Sequence, residues 1–148
     1  MNPRRVFLSA ALAIGLTPLL TAADADKSLY ERLGGMPAVQ AVVGDLVDRI
    51  LLDQRVNGWF AHAASSPEAT AAYKSTLADF VCQSTGGPCQ YKGRDMVGAH
   101  TGRAVTSEAF DAVVEDLIAS LAKFNVPQQE QDDLLGLLGG LKTDIVQH

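Results

Sequence analysis

"GGPCQYKGRDMVGAHTG", Gly86 to Gly102, is the stretch on which the fold turns. It carries five glycines and has room only for a brief helix around Asp95 to His100. The segments on both sides read as long helices. His100 is one of three histidines; the others are His62, in a polar stretch, and His148, the last residue. A lone histidine among small residues is either an imidazole within a core or a metal ligand. The rest of the chain has to decide between the two.

Working outward, every segment from Lys27 onward has helical periodicity, and none shows sustained period-2 alternation. Ser28-Leu29-Tyr30-Glu31 is a capping box opening a short helix that Gly34–Gly35 ends. Pro37 then sits in the first turn of a second helix. Val39, Val42, Val43, Leu46, Val47, Ile50 and Leu51 recur at spacings of three and four, giving that helix one broad apolar face. Gln54 to Ser65 reads as a loop anchored by Trp59 and Phe60. Ser66-Pro67-Glu68 starts a helix that presents Ala69, Tyr73, Thr76, Leu77, Phe80 and Val81 on one side. Thr106 caps another, with Phe110, Val113, Val114, Leu117, Ile118 and Leu121 inward, and Asn125 and Pro127 break it. A last helix carries Leu134, Leu135, Leu138, Leu141 and Ile145, with Gly139–Gly140 weakening its middle. The fold class is all-α: four substantial helices, several short ones, and a glycine-rich interruption.

At 148 residues, 47% apolar and 20% charged, the chain can bury one domain's core. The full-length net charge is −5 and the basic residues are scattered, which argues against nucleic acid as a partner. Residues 1–25 read as an export signal: basic "MNPRR", then the apolar run "VFLSAALAIGLTPLL", then small residues with Ala23-Asp24-Ala25 as cleavage site and Thr21-Ala22-Ala23 as the alternative. "RRVFL" resembles the twin-arginine consensus, with the general secretory route as the alternative. The run is short for a bilayer span and Pro18 interrupts it, so no stable membrane span is expected after cleavage. The domain proper is then 26–148, acidic, and periplasmic or exported. Cys82 and Cys89 are expected to pair in such a compartment, tying the end of one helix to the glycine-rich segment. Two unpaired cysteines are the other reading.

Catalytic constellations are scarce: no nucleophile elbow, phosphate loop, dinucleotide fingerprint or zinc-protease motif occurs. Glu115–Asp116 and Asp132–Asp133 fall on outer helix faces, where solvated charge is the expected role. A zinc site needs three or four nitrogen or sulfur ligands at local spacing, and His100 has none near it. Haem iron needs only one or two from the protein, because the porphyrin supplies four nitrogens.

From about Ser28 to Val146 the chain resembles the truncated haemoglobins, group I of the two-over-two globins. The resemblance rests on "SLYERLGG", "AVVGDLVDRILLDQRV", Trp59–Phe60, "GGPCQYKGRDM", "AHTG", "VTSEAFDAVVEDL" and "NVP". It implies a two-over-two helical sandwich around haem, with His100 as the proximal iron ligand and Gly98 and Gly102 letting the backbone approach the macrocycle. Phe60 matches a residue packed on the porphyrin, and Met96, Val105, Phe110, Val113 and Leu138 match pocket walls. On the distal side Leu46–Val47 stands where the family often has Phe-Tyr, and Leu77 stands where it often has glutamine. Tyr73, one helical turn before Leu77, carries a hydroxyl, although an insertion before it leaves its register open. His62 is a remoter option as a sixth ligand. Loss of both usual donors implies faster O₂ release and easier autoxidation, with CO and NO binding kept. The implied function is reversible binding of a diatomic gas (O₂, NO or CO), oxygen carriage above all. The alternative is NO dioxygenation or a peroxidase-like reaction, which needs an electron-donor reductase.

Overall fold

The computed structural model describes residues 26–146, and all regular structure among them is helical. The signal read over residues 1–25 and the terminal His148 lie outside the described residues. The helices are α1 (Leu29–Arg32), α2 (Gly35–Leu52), α3 (Pro67–Ser84), α4 (Met96–His100), α5 (Ser107–Lys123), α6 (Gln128–Gly139) and α7 (Lys142–Ile145), with a 3₁₀ turn over Asn57–Phe60 inside the loop after α2. Local chemistry sets their starts. The Ser28 hydroxyl accepts from the Glu31 amide while the Glu31 carboxylate accepts from the Ser28 amide, completing the box that opens α1. Ser66 accepts from Ala69 N and Thr106 from Ala109 N, each 3.1 Å, at the heads of α3 and α5. Each cap satisfies an amide that the first turn leaves without a carbonyl.

Packing puts α2 at the centre. It lies against α3 on one side and α5 on the other, while α4 rests on α7 and α1 on α6. Val39, Val42, Val43, Leu46, Val47 and Ile50 are all buried, as the periodicity of α2 requires, and Ala78 and Val81 of α3 and Leu117 and Leu121 of α5 meet them in one core. Burying each large aliphatic side chain contributes about 1.5–3 kcal/mol. Polar pins fix the angle between α2 and α5. Asp45 accepts from Arg49 Nε at 2.7 Å and from the fully buried Ser120 hydroxyl at 2.8 Å, and it pairs with Lys123. Lys123 first, then Arg49 and Ser120, hold the Asp45 carboxyl well below the usual carboxylate range.

Three expectations need correction. Gly139–Gly140 does more than weaken the last helix: α6 ends at Gly139 and the chain restarts as α7 at Lys142, because two adjacent glycines forfeit helix propensity at successive positions. Ile118 is 42% exposed rather than inward, because it falls outside the face of α5 that contributes Leu117 and Leu121. Thr76 keeps its expected place beside Tyr73 and Leu77, with its hydroxyl bonded back to Ala72 O. Asp116 is not a freely solvated charge. Its Oδ2 is enclosed without a hydrogen-bond partner, and loss of solvent, followed by the nearby Asp53 charge, raises its pKa. Among the described residues no helix is long and apolar enough to cross a membrane.

Candidate functional site

α2 and α3 form one wall of an apolar cavity of about 550 Å³, and α4, α5 and the last two helices close it from the other side. That volume lies within the range of sites that hold organic ligands and cofactors. The α2 contribution is one stripe: Val39, Val42, Val43, Leu46 and Ile50. Phe60 comes from the 3₁₀ turn, and Tyr73, Leu77 and Phe80 from α3. Met96 and His100 belong to α4, Val105 to the irregular stretch after it, Phe110 and Val113 to α5, and Leu138 to α6.

Of the ten residues singled out for cofactor contact, the fold therefore gathers nine around one space. Val47 is the exception. It is fully buried but does not line the cavity, and its neighbour Leu46 does. Successive residues on an α-helix point about 100° apart, so a helix that aims Leu46 at the cavity turns Val47 into the packed core.

His100 is the one imidazole held by the wall itself. The Asp95 carboxylate caps α4 by accepting from Gly98 N at 2.6 Å, which starts the short helix. A side chain at 98 would press on that cap, since a Cβ there would lie 3.0 Å from Asp95 Oδ1. Gly98 thus has a local reason to be glycine, whereas Gly102, at φ +75°, supplies the left-handed turn that follows. At the end of α4, His100 Nδ1 lies 2.7 Å from Met96 O. A carbonyl only accepts, so Nδ1 carries the proton and donates. Nε2 is left with its lone pair as the ring's coordinating atom. No group of three or more His, Cys, Asp or Glu side chains suited to a metal gathers among the described residues, so the donor set here is a single imidazole.

The segment that carries His100 is pinned to α3 at several points. Cys82 and Cys89 are joined in a disulfide, seven residues apart. Gln83 Oε1 accepts from Tyr91 N at 2.7 Å, the Phe80 and Tyr91 rings meet edge to face at 5.2 Å, and the Tyr91 hydroxyl donates to Arg94 O. Gly87 is demanded by this crowding, because a Cβ there would meet Cys82 Sγ at 2.5 Å and Cys82 O at 2.8 Å. Beyond the histidine, the Trp59 indole donates to Arg103 O at 2.9 Å and ties the 3₁₀ turn to the same segment.

Exposed His62 and Arg103 reach the cavity from its rim. Tyr73 sits deeper, its ring edge-on to Phe60 at 5.8 Å. Burial, with a smaller push from Tyr91 and a weak opposing pull from Arg103, moves its hydroxyl up to about 12, so the phenol is neutral. The sequence reading passed over Leu46, Arg103 and Tyr91 as site residues. Tyr91 had a signal, its place in "GGPCQYKG", but its role as a brace for the segment needs the packing to be seen.

Comparison with known proteins agrees with this geometry. The family described as Bacterial-like globin matches residues 28–147. A group 1 truncated haemoglobin of Synechocystis is 34% identical over 105 residues, covering 68% of this chain and 81% of that protein. One of Tetrahymena thermophila is 33% identical over 102 residues, covering 69% and 80%. Among solved structures, a 2/2 haemoglobin of Synechococcus, in the cyanomet state with covalently attached haem, superposes with a TM-score of 0.72 at 32% identity, over 81% of this chain and 98% of that one.

Proposed function

The chain belongs to the bacterial-like globin family as a group 1 truncated haemoglobin, and from that premise we propose a haem protein that binds a diatomic gas reversibly. The observation that carries this reading is the pairing of a large apolar cavity with one imidazole whose Nδ1 is committed to Met96 O. The group fits the residues present. A macrocycle that brings four nitrogens of its own asks the protein for apolar walls and one axial base, and the cavity offers both.

In this reading His100 Nε2 would hold the haem iron, and Met96 O sets the tautomer and orientation of the ring, as backbone carbonyls do for ligating histidines elsewhere. Phe60, Met96, Val105, Phe110, Val113, Leu77 and Leu138 would enclose the porphyrin and keep water out. When bound, haem would supply the iron that takes up the gas. Oxygen binding or carriage is the role this arrangement supports best.

Absorption spectra of the ferric and ferrous protein, wild type beside His100→Ala, test the assignment. The wild type is expected to show a haem spectrum with an axial histidine, and the variant to lose that signature and recover it with added imidazole. Identical coordination in both proteins overturns the role of His100.

We further propose that the protein acts outside the cytoplasm. The basic start and apolar run of residues 1–25 support export, and so does the Cys82–Cys89 disulfide, since such bonds persist chiefly in oxidising compartments. Mass measurement of the protein from a periplasmic fraction, with a mature start near Asp26, is the check.

A further inference from the structure

The polar groups that line the cavity can be followed one by one. The Thr76 hydroxyl donates to Ala72 O, the Tyr91 hydroxyl to Arg94 O, the Trp59 indole to Arg103 O, and His100 Nδ1 to Met96 O. Each of those donors is spent on backbone. His62 and Arg103 are exposed and sit at the rim. Tyr73 is the remaining one. Its hydroxyl has no hydrogen-bond partner among the described residues, its oxygen is not fully enclosed, and the residue borders the cavity.

Tyr73 stands on the α3 wall, which packs on α2, while His100 stands on α4. It is one turn before Leu77 on the same wall. The edge-on contact with Phe60 restricts the ring.

Resting on the haem reading above, we infer that the Tyr73 hydroxyl is the hydrogen-bond donor to the gas in this cavity. It replaces the donors that apolar Leu77 and Val47 do not provide. A neutral phenol offers one proton and no charge. It favours ligands whose outer atom gathers negative charge, as O₂ does, over CO, which gathers little. Release of O₂ is correspondingly slower than an all-apolar wall implies. Burial keeps the phenol in its neutral, proton-bearing form, as a donor requires.

The experiment compares haem-loaded wild type, Tyr73→Phe, His62→Ala and Arg103→Ala. Phenylalanine keeps the ring and its contact with Phe60, so the variant differs at one oxygen. O₂ dissociation measured by rapid mixing is expected to rise about tenfold to a hundredfold in Tyr73→Phe, the range set by one buried hydrogen bond. CO dissociation is expected to change far less, and the infrared stretch of bound CO is expected to move to higher frequency. Unchanged O₂ release and an unchanged CO stretch in Tyr73→Phe overturn the inference while the haem spectrum leaves the gas-binding reading standing. A larger effect from His62→Ala or Arg103→Ala overturns it in favour of the rim. A phenolate-to-iron charge-transfer band in the ferric wild type, lost in Tyr73→Phe, overturns the donor role. Wild type that takes up no haem brings down both readings together.

Discussion

The two walls of the cavity are held by different physics. The α2 side is a continuous 18-residue helix with six buried aliphatic residues, and its position follows from area removed from water. The segment from Gly86 to Val105 has one five-residue helix and, of its residues, only Val105 is buried. It is held instead by discrete ties: a disulfide, a Gln83–Tyr91 hydrogen bond, an aromatic contact and an Asp95 cap. The difference teaches where precision comes from. Area tolerates small shifts, so it suits a wall that only has to be greasy. Point contacts locate a short backbone closely, which suits the segment that must aim one imidazole.

That contrast can be broken from either end. The largest effect is expected on the packed wall. Ile50 is almost fully buried and borders the cavity, and Ile50→Ala should lower unfolding stability by about 2–5 kcal/mol, read by chemical denaturation. A loss below 1 kcal/mol means the wall is looser than its burial indicates. Next comes the pinned segment. Replacing both Cys82 and Cys89 by alanine should cost about 2–3 kcal/mol, the chain entropy of closing so short a loop, with the haem spectrum at His100 broadened or partly converted. Unchanged stability and spectrum in the double variant would show that Tyr91 and Asp95 suffice as pins.

The smallest effect is expected at the polar contact between α2 and α5. Lys123, Arg49 and Ser120 lower the Asp45 pKa, so its contribution is fully present above the unfolded value near 4 and fades as pH falls through the carboxylate range. Asp45→Asn should therefore cost about 1 kcal/mol at neutral pH, since both cationic heads are partly solvated, and the two stability curves should converge on acidification. Curves that run parallel down to low pH would place the stabilisation elsewhere.

Much of this was legible in the sequence because it is decided locally. A serine or threonine oxygen reaches an amide three residues on whatever the rest of the chain does, so Ser28, Ser66 and Thr106 marked their helices correctly. The disulfide was expected from two cysteines seven residues apart, and the cavity-lining role of nine residues followed from helical faces and the family resemblance. Apart from the local break at Gly139–Gly140, the misses share one cause. Whether Leu46 or Val47 faces the cavity depends on the rotation of α2 about its axis, which its neighbours set. Asp116 looked solvated until packing enclosed one of its oxygens.

The sequence by itself determined the helices, their caps, the glycine-rich break and the single histidine on it, because hydrogen bonds within a turn and apolar periodicity are short-range. Only the tertiary structure decided which side chains meet across the space those helices leave. It set the tautomer of His100 through Met96 O, and it spent the hydroxyl and indole donors of Thr76, Tyr91 and Trp59 on backbone while leaving the Tyr73 hydroxyl without a partner. Those outcomes depend on side chains far apart in the chain arriving at one place, and long-range packing is what brings them there.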